Sequence, residues 1–139
     1  TTTRLHQELA GGTFADVIID EAHDPTSVHP FKGDIDLAKL EALIARVGPE
    51  QIAYVSLAAT VNMAGGQPVS MANARAVSEL CQRHRIRLFL DATRVVENAF
   101  FIGEREASFA GRSVASCMAA SPSGAFVMDT AIASVPSFR

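Results

Sequence analysis

The stretch Leu88-Phe89-Leu90-Asp91-Ala92-Thr93-Arg94 constrains the fold more than any other part of the chain. Its apolar half follows a helical pattern and reads as a short, buried parallel strand. The run stops abruptly at a carboxylate, with a guanidinium three positions further on. In open α/β sheets, ligands sit outside the carboxyl ends of the strands, which puts Asp91 where chemistry is done. Aspartate is also a good helix N-cap. On local sequence alone the two roles stand level.

The remainder of the chain supplies partners for such a strand. Phe14 to Ile19 is β-branched and apolar and is expected to be a strand. The segment from Glu21 to Gly33 carries Pro25, Pro30, His23 and His29 and reads as an irregular surface connection. A helix follows, opened by Asp34 or Asp36, with Leu37, Leu40, Leu43, Ile44 and Val47 on one face, and Gly48-Pro49 ends it. Ile52 to Ala59 reads as a second strand, apolar on both faces and so central in its sheet. It breaks at a loop, residues 60–68, that holds Gly65, Gly66 and Pro68. Ser70 or Asn73 starts the next helix, with Ala72, Ala76, Val77, Leu80 and Cys81 expected on its buried side and an end near His84. Ile86 to Leu90 is the third strand. The order β-α-β-α-β predicts an α/β fold with a parallel or mostly parallel sheet and flanking helices. Asn62 and Asp91 then both fall at the carboxyl ends of consecutive strands. If those strands are neighbours, the two side chains share one crevice. Val95, Val96, Ala99, Phe100 and Ile102 suit a short helix, and past Gly111 the pattern decays into an Ala/Ser-rich segment.

Composition narrows the function classes. A chain of 139 residues, 48% hydrophobic and 19% charged, can bury one real core. A net charge of −3 with no basic stripe argues against nucleic acid. Arg83, His84, Arg85 and Arg87 cluster just before a strand, where a solvated helix end is the plain explanation. Cys81 and Cys117 cannot build a disulfide framework and point to a reducing, cytoplasmic compartment. No apolar run approaches the roughly 20 residues needed to span a bilayer, and no signal-peptide pattern opens the chain. Thr1 is not methionine, so the natural start is expected upstream.

Motifs for the commonest chemistries are missing. The four histidines, His6, His23, His29 and His84, have no metal-ligand spacing. There is no nucleotide-cradling lysine after Gly65-Gly66, no G-x-G-x-x-G and no G-x-S-x-G elbow. What remains is Asn62, Asp91 and Arg94 at strand ends, a set that suits a flat heteroaromatic ligand. A carboxylate against a pyridine nitrogen keeps that nitrogen protonated, and the ring then accepts electrons from a carbanion. Arg94 and Asn62 can donate to a phenolate-type oxygen on the same ring.

Several longer runs carry a resemblance. Thr1-Thr2-Thr3-Arg4, His6-Gln7-Glu8, Asp20-Glu21-Ala22-His23-Asp24 and Phe31-Lys32-Gly33-Asp34-Ile35-Asp36-Leu37 resemble the β-eliminating lyases, the family that includes tyrosine phenol-lyase and tryptophanase. So do Thr60-Val61-Asn62, Ala64-Gly65-Gly66-Gln67-Pro68-Val69-Ser70-Met71-Ala72-Asn73, Asp91-Ala92-Thr93-Arg94 and Val96-Glu97-Asn98-Ala99, and the likeness runs from Thr1 to about Gly111. The versions present are nearer the tyrosine-cleaving branch. The resemblance implies part of a fold-type I, pyridoxal 5′-phosphate-dependent large domain over residues 1–111, with 112–139 as a divergent tail. It implies carbon–carbon lyase chemistry on an aromatic amino acid: tyrosine to phenol, pyruvate and ammonia, or alternatively tryptophan to indole, pyruvate and ammonia. Carried over by position, Asp91 matches the carboxylate on the ring nitrogen, and Asn62 and Arg94 match residues near the ring oxygen. Thr1 matches a threonine near the substrate's phenolic hydroxyl. A full-length parent is expected to be a cytoplasmic homotetramer that takes a small aromatic amino acid, with a monovalent cation such as potassium as a further ligand.

The departures from the family pattern carry equal weight. The family forms its Schiff base through a lysine in a Ser-Gly-Lys-Lys-Asp-like motif downstream of the position of Asp91. Here the only lysines are Lys32 and Lys39, both upstream and both expected on a loop or helix surface. No catalytic residue is therefore assigned within the chain. It is expected to be a piece of a lyase gene, truncated at the front and altered in frame near the end, and inactive alone. The rival is a non-catalytic α/β fragment or binding module. Flanking DNA separates the two, since only a lyase gene carries the Lys-Lys motif just downstream.

Overall fold

The computed structural model describes residues 2–120 and 126–128. Three parallel strands, β1 (Val55–Ala58), β2 (Leu88–Asp91) and β3 (Phe126–Met128), lie in that order in one sheet. Helix α1 (Thr2–Leu9) and helix α2 (Leu37–Val47) precede the sheet. Helix α3 (Met71–His84) connects β1 to β2, while α4 (Val95–Arg105) and α5 (Val114–Ala119) connect β2 to β3. This is the α/β arrangement with flanking helices that the sequence pattern predicts.

Local chemistry explains the helix ends. Asp36 caps α2 by accepting from the Lys39 N–H at 3.0 Å, and Gly48 closes it with φ 84°. Ser70 caps α3 by accepting from the Asn73 N–H at 3.0 Å. The alternative cap residues, Asp34 and Asn73, are used elsewhere.

Register decides which face of the sheet is packed. Val55 lies opposite Leu88, and Leu57 opposite Leu90. All four are buried with Leu40 and Ile44 of α2 and Val77, Leu80 and Cys81 of α3. The alternate positions, Ser56, Ala58, Phe89 and Asp91, point to the other face and are exposed or half-buried. A second cluster, Phe31, Met71, Ala99, Ile102, Phe109 and Cys117, joins α4 and α5 to the start of α3.

Several sequence expectations are corrected. Residues 14–19 form no strand: Ile18 makes one isolated antiparallel bridge to Ile35. The Asp16 carboxylate accepts from the Ile18 N–H and turns the backbone, and Val17 and Ile19 bond to residues 36 and 34 instead of a sheet. Strand β1 is not apolar on both faces, because Ser56 is exposed, and among the described residues it lies at the sheet edge with β2 central. Ala72 faces solvent and Ala76 is half-buried; Met71, Ala74 and Ser78 take the buried side with Val77, Leu80 and Cys81. Val96 and Phe100 are 55% and 53% exposed, while Asn98, Ala99 and Ile102 are buried. Lys32 is buried rather than on the surface, its ammonium donating to the Asp24 carbonyl at 2.7 Å. Within the Ala/Ser-rich segment, Cys117 is 1% exposed.

Candidate functional site

The site is built where β1 and β2 end side by side. Asp91 is the last residue of β2, in register with Ala58. Ala59 then brackets the two strand ends: its N–H donates to the Asp91 carbonyl at 2.9 Å, and its carbonyl accepts from the Arg94 N–H at 2.8 Å. Chain leaving β1 and chain leaving β2 are thus tied together within three residues of Asp91. Beyond the bracket, Asn62 occupies a single 3-10 turn and Arg94 precedes α4.

Arg94 Nη1 donates to Asn62 Oδ1. A guanidinium has no acceptor, so it takes the amide oxygen and leaves the Asn62 NH₂ as the remaining donor of that side chain. Both side chains are exposed. A Cβ at Gly66 would make only ordinary contact with this pair, 3.7 Å from Arg94 Nη1, so the backbone at φ 76° is what calls for glycine there.

Asp91 is half-buried and is not a helix cap. The N-cap position of α4 is Arg94, and no side chain caps that helix. Instead Asp91 Oδ1 accepts from the Thr93 N–H at 3.1 Å and from the Thr93 hydroxyl at 2.5 Å. Among the described residues no hydrogen bond reaches Oδ2. The structure brings Asn62 and Arg94 into contact, on chain that Ala59 ties to the end of β2, with no direct bond between Asn62 and Asp91 among the described residues. Thr1 lies outside the described residues.

The loop from Thr60 to Asn73 is held residue by residue. Val61 and Gln67 pair antiparallel, closed by Gly65 and Gly66 at φ 81° and 76°. The Pro68 carbonyl accepts from the Gly33 N–H at 3.0 Å. Asn98, buried, grips Val69 on both sides: Oδ1 accepts from its N–H at 2.8 Å and Nδ2 donates to its carbonyl at 2.9 Å. Asn73 grips Ile35 in the same two-point way, at 2.9 and 2.8 Å. Asp34 accepts from the Ser70 N–H at 2.7 Å and the Ser70 hydroxyl at 2.9 Å, and Glu106 accepts from the Met71 N–H. Burial pushes the Asp34 carboxyl above its ordinary pKa, against the Ser70 hydrogen bonds that pull it down. Sequence reading missed Asn73, Asn98 and Thr93. Two asparagines inside apolar helix patterns, where asparagine is a poor helix former, were the available signal.

Neither lysine serves this site. Lys32 is spent on Asp24, and Lys39 donates to the Ile18 carbonyl at 2.8 Å and to Asp20 at 2.5 Å. The hydrogen bond between them raises the Lys39 pKa and lowers that of Asp20. A void of about 30 Å³ lies on the packed face of the sheet among Leu57, Val69, Leu90, Asn98, Ile102 and Cys117; it reaches Ala59 but is not lined by Asn62, Asp91 or Arg94. No group of three or more metal-ligating side chains occurs among the described residues.

The family model for β-eliminating lyases matches residues 1–130. The chain belongs to the β-eliminating lyase family. The match runs past Gly111 and takes in α5 and β3. Among individual proteins, the chain is similar to a tyrosine phenol-lyase of Intrasporangium calvum, 70% identical over 115 residues, which are 83% of this chain and 24% of that one. A tyrosine phenol-lyase of Nostoc punctiforme is 65% identical over 118 residues, 85% of this chain and 25% of its own length. One of Symbiobacterium thermophilum is 66% identical over 114 residues, 82% and 25%. The chain thus spans about a quarter of the length of the curated relatives it matches. Enzymes of this family depend on pyridoxal 5′-phosphate.

Proposed function

We propose that this chain carries the ring-holding edge of a pyridoxal 5′-phosphate site in a carbon–carbon lyase that cleaves the side chain of tyrosine to phenol, pyruvate and ammonia. Residues 1–111 are read as part of the cofactor-binding large domain and 112–139 as a divergent Ala/Ser-rich tail. The observation that carries the reading is the Arg94–Asn62 pair on chain that Ala59 ties to a strand-end carboxylate with an open oxygen. That donor set suits the cofactor's ring. Asp91 holds a proton on the ring nitrogen through a charge-assisted hydrogen bond. Asn62, through its NH₂, and Arg94, through its remaining N–H groups, donate to the ring oxygen. When bound, the cofactor supplies an electron-accepting ring that stabilises a substrate carbanion.

The names of the relatives support tyrosine over tryptophan. For the full-length protein the proposal extends to a cytoplasmic homotetramer with a monovalent cation, and to Thr1 near the phenolic hydroxyl. Two free, buried cysteines agree with a reducing compartment. No helix among the described residues is long and apolar enough to cross a membrane.

One observation favours the non-catalytic alternative for this chain taken alone. Both lysines are engaged around residues 18–24, so no amine among the described residues is available beside Asp91 for a covalent link. Non-covalent ring binding is therefore the property to test. The ¹⁵N-labelled chain is titrated with pyridoxine 5′-phosphate, which has the ring and phosphate but no aldehyde to react with lysines. Amide shifts are expected at Ala59, Asn62, Asp91, Thr93 and Arg94, and are expected to vanish in Asp91→Ala. Shifts elsewhere, or shifts that persist in that variant, refute the reading.

A further inference from the structure

We propose that Thr93 is a positioning residue: it occupies Oδ1 of Asp91 and so presents Oδ2 as the oxygen that takes the ring N–H. The inference rests on the cofactor reading above and deepens it. An aspartate at a strand end has two equivalent oxygens and two rotatable side-chain torsions, so its carboxylate must be fixed by something else if it is to meet a ring nitrogen in one orientation. Thr93 supplies that fixation twice. Its N–H and its hydroxyl both donate to the same oxygen, at 3.1 and 2.5 Å. Two donors crowd one oxygen, and the other carries no hydrogen bond among the described residues.

The backbone around this pair is itself pinned. The Asp91 carbonyl accepts from Ala59 and the Arg94 N–H donates to Ala59, so residue 93 is held between two fixed points. The threonine hydroxyl therefore reaches Asp91 from a segment tied on both sides, while Thr93 itself is exposed. The same two-donor turn forms at Asp24–Thr26 on the surface, so what sets Thr93 apart is the strand-end carboxylate it holds. A side chain of this kind acts through Asp91 and needs no contact with ligand.

Thr93→Val removes the hydroxyl at nearly constant shape and keeps the N–H; Thr93→Ser keeps both donors. Each variant of the chain is titrated with pyridoxine 5′-phosphate, reading affinity and the absorption of the bound ring, which reports whether its nitrogen carries a proton. Thr93→Val is expected to bind about 10-fold more weakly, the low end for losing one hydrogen bond to a charged group. Its bound ring is expected to lose the nitrogen proton at lower pH than in the unaltered chain. Thr93→Ser is expected to restore both. Asp91-dependent binding that Thr93→Val leaves unchanged in affinity and ring protonation overturns the assignment of Thr93 alone. A Thr93→Val chain that loses its dispersed amide spectrum also overturns it, because the threonine then serves folding. Absence of Asp91-dependent binding in the unaltered chain overturns the cofactor reading, and this inference with it.

Discussion

Asn98 offers the sharpest quantitative test of how the site loop is held. Its amide is 6% exposed and is bonded to both backbone groups of Val69, itself 2% exposed. Replacing it by alanine strands a buried N–H and a buried carbonyl at once. Each group left without a partner costs about 1–3 kcal/mol. The adjoining void of about 30 Å³ gives one water a way to reach them after the amide is removed, which trims the total. Asn98→Ala is therefore expected to destabilise the chain by about 2–4 kcal/mol. Urea unfolding measures it as a lower midpoint with an unchanged slope, and the Val69 amide is expected to exchange faster than its helical neighbours. Asn98→Asp separates donor from acceptor. It keeps an oxygen for the Val69 N–H but loses the donor to the carbonyl and buries a charge, so its deficit is expected to shrink as pH falls and the carboxyl regains a proton. A loss below about 0.5 kcal/mol for Asn98→Ala, the scale of an ordinary surface change, with the Val69 amide still protected, refutes the two-point grip.

Three further outcomes follow from other contacts. Gly33→Ala places a Cβ 2.6 Å from the Gln67 carbonyl and 2.7 Å from that of Pro68, and is expected to cost about 1–3 kcal/mol in urea unfolding; unchanged stability refutes the close approach. Because burial raises the folded pKa of Asp34 above its ordinary 3.8, the fold keeps a proton that the unfolded chain has already lost. Its contribution to stability is thus full below the unfolded value and declines as pH rises through the folded one, and Asp34→Asn is expected to remove that decline from a series of urea midpoints between about pH 3 and pH 7. The Cys81 thiol is pushed up to about 11 by burial, so an aromatic disulfide reagent at about pH 8 is expected to label it only on unfolding; prompt labelling of the folded chain counts against it.

Much of this fold is legible in the sequence because its signals are local. Asp36 and Gly48 bound α2, and Ser70 opens α3, through contacts within four residues. The strand ends at Ala58 and Asp91 are likewise marked by where apolar runs stop. What escaped reading depends on distant partners. Residues 14–19 have strand composition, yet their backbone finds residues 34–36 and never reaches the sheet. The helix over residues 95–105 is legible, but its buried side is not, because Asn98, polar by type, is buried alongside Ala99 and Ile102 while Val96 and Phe100 are exposed. In α3, alanines 72, 74 and 76 are too small and alike to fix the phase. At the site, Asn62, Asp91 and Arg94 were visible as polar residues at strand ends. Their actual linkage was not, since the Arg94–Asn62 contact depends on how Ala59 joins two strands separated by a whole helix.

The alternation along β2 has a consequence for folding fidelity. Leu88 and Leu90 turn one way, Phe89 and Asp91 the other. If β2 slipped by a single position against β1, every side chain would change sides, driving a carboxylate into hydrocarbon and expelling two leucines into water. Any slip by an odd number of positions is therefore costly, and the burial of Leu88 and Leu90 itself keeps the acid on the opposite side of the sheet.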